Sequence, residues 1–61
     1  MSIYKVDLFR QIEVKYDNTI DSYRVYIHTP FYIPKVRELS HSYSTDWAER
    51  QIIEDVIKYY L

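Results

Sequence analysis

"IYKVDLFRQIEVKY", residues 3–16, decides how the rest of the chain is read. Tyr4, Val6, Leu8, Ile12, Val14 and Tyr16 fall on even positions, with Lys5, Asp7, Gln11, Glu13 and Lys15 between them. Successive side chains of a strand point to opposite faces, so this period of two predicts a long strand with one buried face. Arg10 breaks the apolar parity and Phe9 falls on the opposite face, which predicts a bend or bulge near them. "DNTIDS", residues 17–22, then supplies turn formers, because Asn and Asp tolerate the left-handed backbone that Gly would otherwise provide. "YRVYIHTP", residues 23–30, sets Tyr23, Val25 and Ile27 against Arg24, Tyr26 and His28 and is ended by Pro30. A second, antiparallel strand follows.

The next segment, "FYIPKVREL" at 31–39, has Pro30 and Pro34 around its first half. That spacing forbids a central strand but allows an edge strand or an extended loop, with Val36 and Leu39 as its anchors. Whether residues 31–44 form strand, helix or loop stays open at this level. From Thr45 onward the period changes: Ala48, Ile52, Ile53, Val56, Ile57 and Tyr60 recur at helical spacing, with Glu49, Arg50, Glu54, Asp55 and Lys58 elsewhere. Thr45 or Asp46 is the expected N-cap, and with Asp46 as cap Glu49 completes a capping box. The fold class is therefore α+β. One domain, residues 1–61, holds an antiparallel β-hairpin, with a third short edge strand as an option, packed by one C-terminal α-helix.

Size and composition bound the function. A chain of 61 residues buries only about 60% of its unfolded surface and is marginal alone. With no cysteine, disulfides and thiolate zinc sites are excluded, and association with a second copy is the expected remedy. Hydrophobic residues make up 48% of the chain, too many for a disordered tail, and eight tyrosines supply most of the aromatic content. The sequence contains no Gly, which excludes the phosphate loops and dinucleotide fingerprints that depend on it, and no cofactor is expected. Net charge is −1, yet residues 1–37 carry six Lys/Arg against four Asp/Glu while 38–61 carry two against five. There is no apolar run of membrane-spanning length and no signal-peptide pattern at the start, so an intracellular, cytoplasmic protein without a membrane partner is expected.

The polar stretch "LSHSYSTDWAERQII", residues 39–53, is the obvious place to look for chemistry. Ser40, His41, Ser42 and Asp46 include the residue types of a hydrolytic triad, but their spacing fixes neither a nucleophile elbow nor an oxyanion hole. No catalytic residue is assigned, and the chain is expected not to be an enzyme. A metal site would need His28, His41 and Glu38 to converge, and Glu-x-x-His alone is a fragment of such a motif; solvated loop histidines are the expectation, with no metal. Aromatic stacking on unpaired bases is a further option, since Lys5, Arg10, Lys15 and Arg24 share the hairpin with Tyr4, Tyr16, Tyr23 and Tyr26. Interleaved carboxylates cancel much of that field. The plainer reading makes the tyrosines packing and interface residues.

The order of features in the second half, Glu38, Leu39, Tyr43, Ser44, Thr45 and Asp46 followed by the Ile52–Ile53 helix, resembles the small uracil-DNA glycosylase inhibitors of Bacillus phages. The first half resembles them in architecture only. This chain lacks their Gly before the helix and has Arg37 in place of a Phe ahead of the Glu. The resemblance implies a phage-encoded homodimer in the host cytoplasm that imitates DNA. Carboxylates would stand where a host enzyme expects phosphates, and an apolar cavity would accept the side chain that wedges into the duplex as uracil flips out. The partner-binding residues it implies are Glu38, Asp46 and Glu49 for charge, with Tyr43 and Trp47 near the cavity. The expected function is thus inhibition of a host DNA-processing enzyme, uracil-DNA glycosylase most specifically. The alternative is a small nucleic-acid-binding dimer using the Tyr and Lys/Arg hairpin face, and beyond both stands a plain module that binds another protein.

Overall fold

The computed structural model describes residues 2–31 and 33–61. Strands β1 (Ser2–Lys5), β2 (Gln11–Asp17), β3 (Ser22–His28), β4 (Val36–Glu38) and β5 (Tyr43–Ser44) precede helix α1 (Glu49–Tyr60). All pairings are antiparallel in the order β1-β2-β3-β4, with β5 also on β3. This is a small α+β domain with a multi-strand sheet and one C-terminal helix.

The quoted stretch is two strands rather than one. The chain reverses over Val6–Arg10, and β1 lies back along β2 with Ser2 opposite Val14 and Tyr4 opposite Ile12. Asp7 organises the reversal: its Oδ1 accepts the backbone N–H groups of Phe9 and Arg10, both at 2.8 Å, while the Val6 N–H donates to the Arg10 carbonyl at 2.9 Å. An acidic side chain that satisfies turn amides offers the backbone an alternative to continuing the strand. Leu8, expected on the buried face, consequently stands at the tip of the turn and is exposed.

Between β2 and β3 the chain turns through Asn18–Asp21. Asp17 accepts the Thr19 N–H at 2.9 Å, and Asp21 takes the left-handed backbone, φ 50°, as the composition of that turn led one to expect. Ile12 lies opposite Ile27 and Val14 opposite Val25, so the buried sides of both strands coincide.

The outer edge of β3 is covered in two pieces. Glu38 pairs with Tyr26, whereas Tyr43 pairs with Tyr23, so the covering strand carries two more residues than β3 between those points. The surplus is taken up after β4, where the Leu39 N–H donates to the Val25 carbonyl at 2.9 Å and its side chain drops into the core. Leu39 thus anchors the segment, while Val36 is exposed and does not.

The helix begins later than its sequence pattern suggests. Trp47 N–H donates to the Ser44 carbonyl at 3.1 Å, closing a turn through Thr45 and Asp46, and Ala48 is the N-cap. Gln51 Oε1 accepts the Ala48 N–H at 3.0 Å, so half of a capping box forms two residues beyond the Asp46–Glu49 pair expected. Ile52, Ile53 and Val56 from one face of α1 meet Ile12, Val14, Val25, Ile27, Leu39 and Tyr43 in a single core. The opposite sheet face is uncovered and carries Lys5, Glu13, Lys15, Arg24, Tyr26, His28 and Glu38.

Candidate functional site

The corner where β5 turns into α1 is built around Tyr43. Its ring is buried, because its register against Tyr23 points it toward the helix. Its hydroxyl donates to the Asp55 carboxylate at 2.5 Å, and no buried side-chain polar atom among the described residues lacks a partner. Burial first, and the hydrogen bond to Asp55 second, push the Tyr43 phenol well above its ordinary value. Trp47 packs edge-on against Tyr43 with centroids 4.9 Å apart, and His41 does the same at 4.6 Å. Tyr43 is therefore the keystone of an aromatic stack rather than an exposed contact.

Outside that stack, Asp46, Trp47 and Gln51 line a shallow depression of about 190 Å³. Asp46 and Glu49 are exposed, and among the described residues neither enters an ion pair. Glu49 is the first helical residue, at the end where the helix dipole favours a carboxylate. Glu49 also belongs to a second feature, a groove of about 550 Å³ between β1 and α1 floored by Ile3, Tyr4, Ile53 and Ile57.

Glu38 lies elsewhere. It faces Tyr26 on the uncovered side of the sheet and takes a 2.6 Å contact from Arg24, which also reaches Asp17 at 2.6 Å. The structure thus brings Tyr43, Asp46 and Trp47 together, places Glu49 one turn away, and leaves Glu38 on the other face of the sheet.

Of the two histidines, His41 is an exposed loop residue as expected and His28 is not. His28 is a strand residue on the uncovered face with its Nε2 2.9 Å from Glu13 Oε1. His41 stacks on Tyr43, and it has no hydrogen bond to Ser40, Ser42 or Asp46 among the described residues. Among those residues no three metal-ligating side chains converge.

Of the hairpin tyrosines, Tyr26 alone shares the face that carries Lys5, Lys15 and Arg24. Tyr16 and Tyr23 pack edge-on at 5.8 Å on the helix side, and Tyr4 lies on that side too. The Arg24 charge is already met by Asp17 and Glu38, and that of Arg10 by Asp7 at 2.8 Å. The stacking platform that the sequence offered is split between two faces.

Sequence reasoning missed the end of the molecule formed by the β1–β2 and β3–β4 connections. Leu8, Phe9, Phe31 and Ile33 are all exposed there. The signal that would have found it is Asp7 ahead of Phe9, together with the two prolines around Phe31 and Ile33. No family model, curated protein or solved structure matches this chain.

Proposed function

We propose that this chain is a non-enzymatic protein-binding module, and that its specific role is to inhibit a host DNA-processing enzyme, uracil-DNA glycosylase in the first instance, as a homodimeric mimic of DNA. One observation carries the reading: Asp46 and Trp47 are exposed around one shallow depression and Glu49 opens the helix two residues on, and neither carboxylate enters an ion pair among the described residues. Trp is enriched at interface hot spots, and carboxylates free of intramolecular partners are available to a phosphate-binding loop. A rigid base supports them, since the indole rests on the Tyr43–Asp55 pair. Preformed contacts lose less entropy on binding.

In this reading Tyr43 acts by holding Trp47, and Glu38 contributes only if Arg24 releases it. The second copy would add to the core that a short chain lacks, and the groove between β1 and α1 is an apolar surface suited to it.

The test is excision of uracil from a labelled oligonucleotide by bacterial uracil-DNA glycosylase, titrated with this protein. Inhibition that saturates at a small fixed ratio, and weakens when Asp46→Ala, Trp47→Ala and Glu49→Ala are combined, is the expected result. Unchanged excision at a large excess discards the glycosylase as target. Full inhibition by a Glu38→Ala, Asp46→Ala, Glu49→Ala variant discards the mimicry.

A further inference from the structure

Two connections leave the same end of the sheet, because Lys5 pairs with Gln11, Gln11 with His28, and His28 with Val36. At that end Phe9 and Phe31 meet edge-on, centroids 5.0 Å apart, so the two connections are held together. What they present is apolar: Leu8 is 81% exposed, Phe9 53%, Phe31 72% and Ile33 97%. So much exposed apolar surface at one end of a small protein marks a surface meant to be covered.

Among the described residues, the charges left unpaired around the patch are basic. Lys5 closes β1, and Lys35 and Arg37 flank the start of β4. The one carboxylate in the β1–β2 turn, Asp7, is consumed by Arg10 and by two turn amides. The C-terminal turn of α1 reaches the same end, where Tyr60 lies with Arg10, Thr29, Ile33 and Arg37 around one cleft. At the far end lie Asp17, Asp21, Asp46 and Glu49, beyond the β2–β3 turn and at the helix start. The molecule measures 31 Å along its longest axis, several times the ~8 Å screening length at physiological salt, so the acidic end does not cancel the basic one.

We propose that this end is a membrane-docking tip, in which Leu8, Phe9, Phe31 and Ile33 enter the interfacial zone of an anionic lipid surface while Lys5, Lys35 and Arg37 meet its headgroup phosphates. Exposure on two projecting connections favours a lipid surface over a folded partner. Ile33 borders a cleft of about 370 Å³ and Leu8 and Phe9 another of about 270 Å³, and a fluid interface accepts tips of this kind without a matching shape. A basic collar around apolar tips is the pairing that anionic bilayers attract, through burial at short range and surface potential at longer range. No membrane-spanning helix is required, and none of the helices among the described residues is long and apolar enough to be one. The inference goes beyond the inhibitory reading and does not depend on it, since Asp46, Trp47 and Glu49 lie at the opposite end.

Cosedimentation with phosphatidylcholine vesicles, with and without about 30% phosphatidylserine, tests the tip. Binding to the anionic vesicles, weak binding to the neutral ones and release by high salt are expected. Phe9→Ser with Phe31→Ser, and separately Lys35→Glu with Arg37→Glu, are each expected to weaken vesicle binding by roughly tenfold or more. All four positions lie outside the core, so circular dichroism should be unchanged. If the Phe pair disturbs the hairpins, Leu8→Ser with Ile33→Ser tests the same contact without breaking the Phe9–Phe31 stack. Absence of binding to anionic vesicles by the wild-type protein overturns the proposal, including where the tip instead captures a folded protein. Vesicle binding that survives all three variants also overturns it, because lipid would then be held elsewhere.

Discussion

The hydroxyl of Tyr43 and the carboxylate of Asp55 form the one hydrogen bond between side chains that ties the sheet to the helix among the described residues, at 2.5 Å. It joins a buried β5 side chain to a helix residue on the edge of the core face, so the helix register is fixed by a directional contact as well as by apolar burial. The same pair supports Trp47 from beneath. Fold and candidate site therefore share a foundation, and a change at Tyr43 acts on both.

Tyr43→Phe should keep the aromatic stack but leave the Asp55 carboxylate without its donor. A hydrogen bond to a charged group contributes about 1.5–3 kcal/mol, and solvent reaching the Asp55 side reduces the expected loss to about 1–2 kcal/mol. In a domain of this size that corresponds to a fall in Tm of roughly 5–10 °C. Thermal denaturation checks it, and an unchanged Tm would mean that the helix is held by apolar contact alone.

Alkaline pH should probe the same bond. Burial and Asp55 raise the Tyr43 phenol, and the hydrogen bond to Asp21 raises that of Tyr16. A phenol raised on folding contributes stability that is complete below the unfolded value, about 10, and is lost as pH climbs toward the folded one. Urea midpoints are expected to be flat up to that value and to decline above it. Tyr43→Phe should decline less steeply while keeping the part due to Tyr16.

These contacts explain what the sequence could and could not reveal. The buried stripes Ile12–Val14, Val25–Ile27 and Ile52–Ile53–Val56 were legible, because period is a local property of the chain. The β1–β2 reversal was not. Its paired residues, Ser2 with Val14 and Tyr4 with Ile12, have even sums, so folding the segment back leaves the same parity on the same face as a straight strand would. Only the side chain of Asp7 distinguishes the two, through amides it accepts in three dimensions. Partners distant along the chain were equally hidden: Glu38 is legible as an acid, but Arg24, fourteen residues earlier, is found only across the β3–β4 pairing. Asp46, Trp47 and Glu49 needed no such contact, being neighbours at a helix start.

Acid should act in the opposite direction to alkali. Two backbone N–H groups and Arg10 hold the Asp7 carboxyl below the usual range, led by the Phe9 amide, and Arg24 does the same for Asp17, helped by the Thr19 amide. A carboxyl lowered on folding contributes stability that is present above the unfolded value, about 3.9, and is lost as pH falls through the folded one. Asp7→Asn retains an oxygen for the turn amides but removes the charge that Arg10 meets, so its acid limb should be shallower than that of the wild type. An identical limb would show that the Asp7–Arg10 pair does not couple to folding.

Core and turn should respond very differently to loss of an aliphatic side chain. Ile52 is fully buried between helix and sheet, and replacing it by Ala should cost about 2–5 kcal/mol. Domains of this length have a total stability of roughly 3–9 kcal/mol, so Ile52→Ala is expected to lose most of its cooperative unfolding transition at room temperature. Leu8 belongs to the even-numbered apolar stripe of Ile12 and Val14 but sits at the tip of the β1–β2 turn, so Leu8→Ala should change stability by no more than about 0.5 kcal/mol. Urea denaturation of the two variants separates the architectures: a cost at Leu8 comparable to that at Ile52 would restore the single long strand and remove the reversal at Asp7.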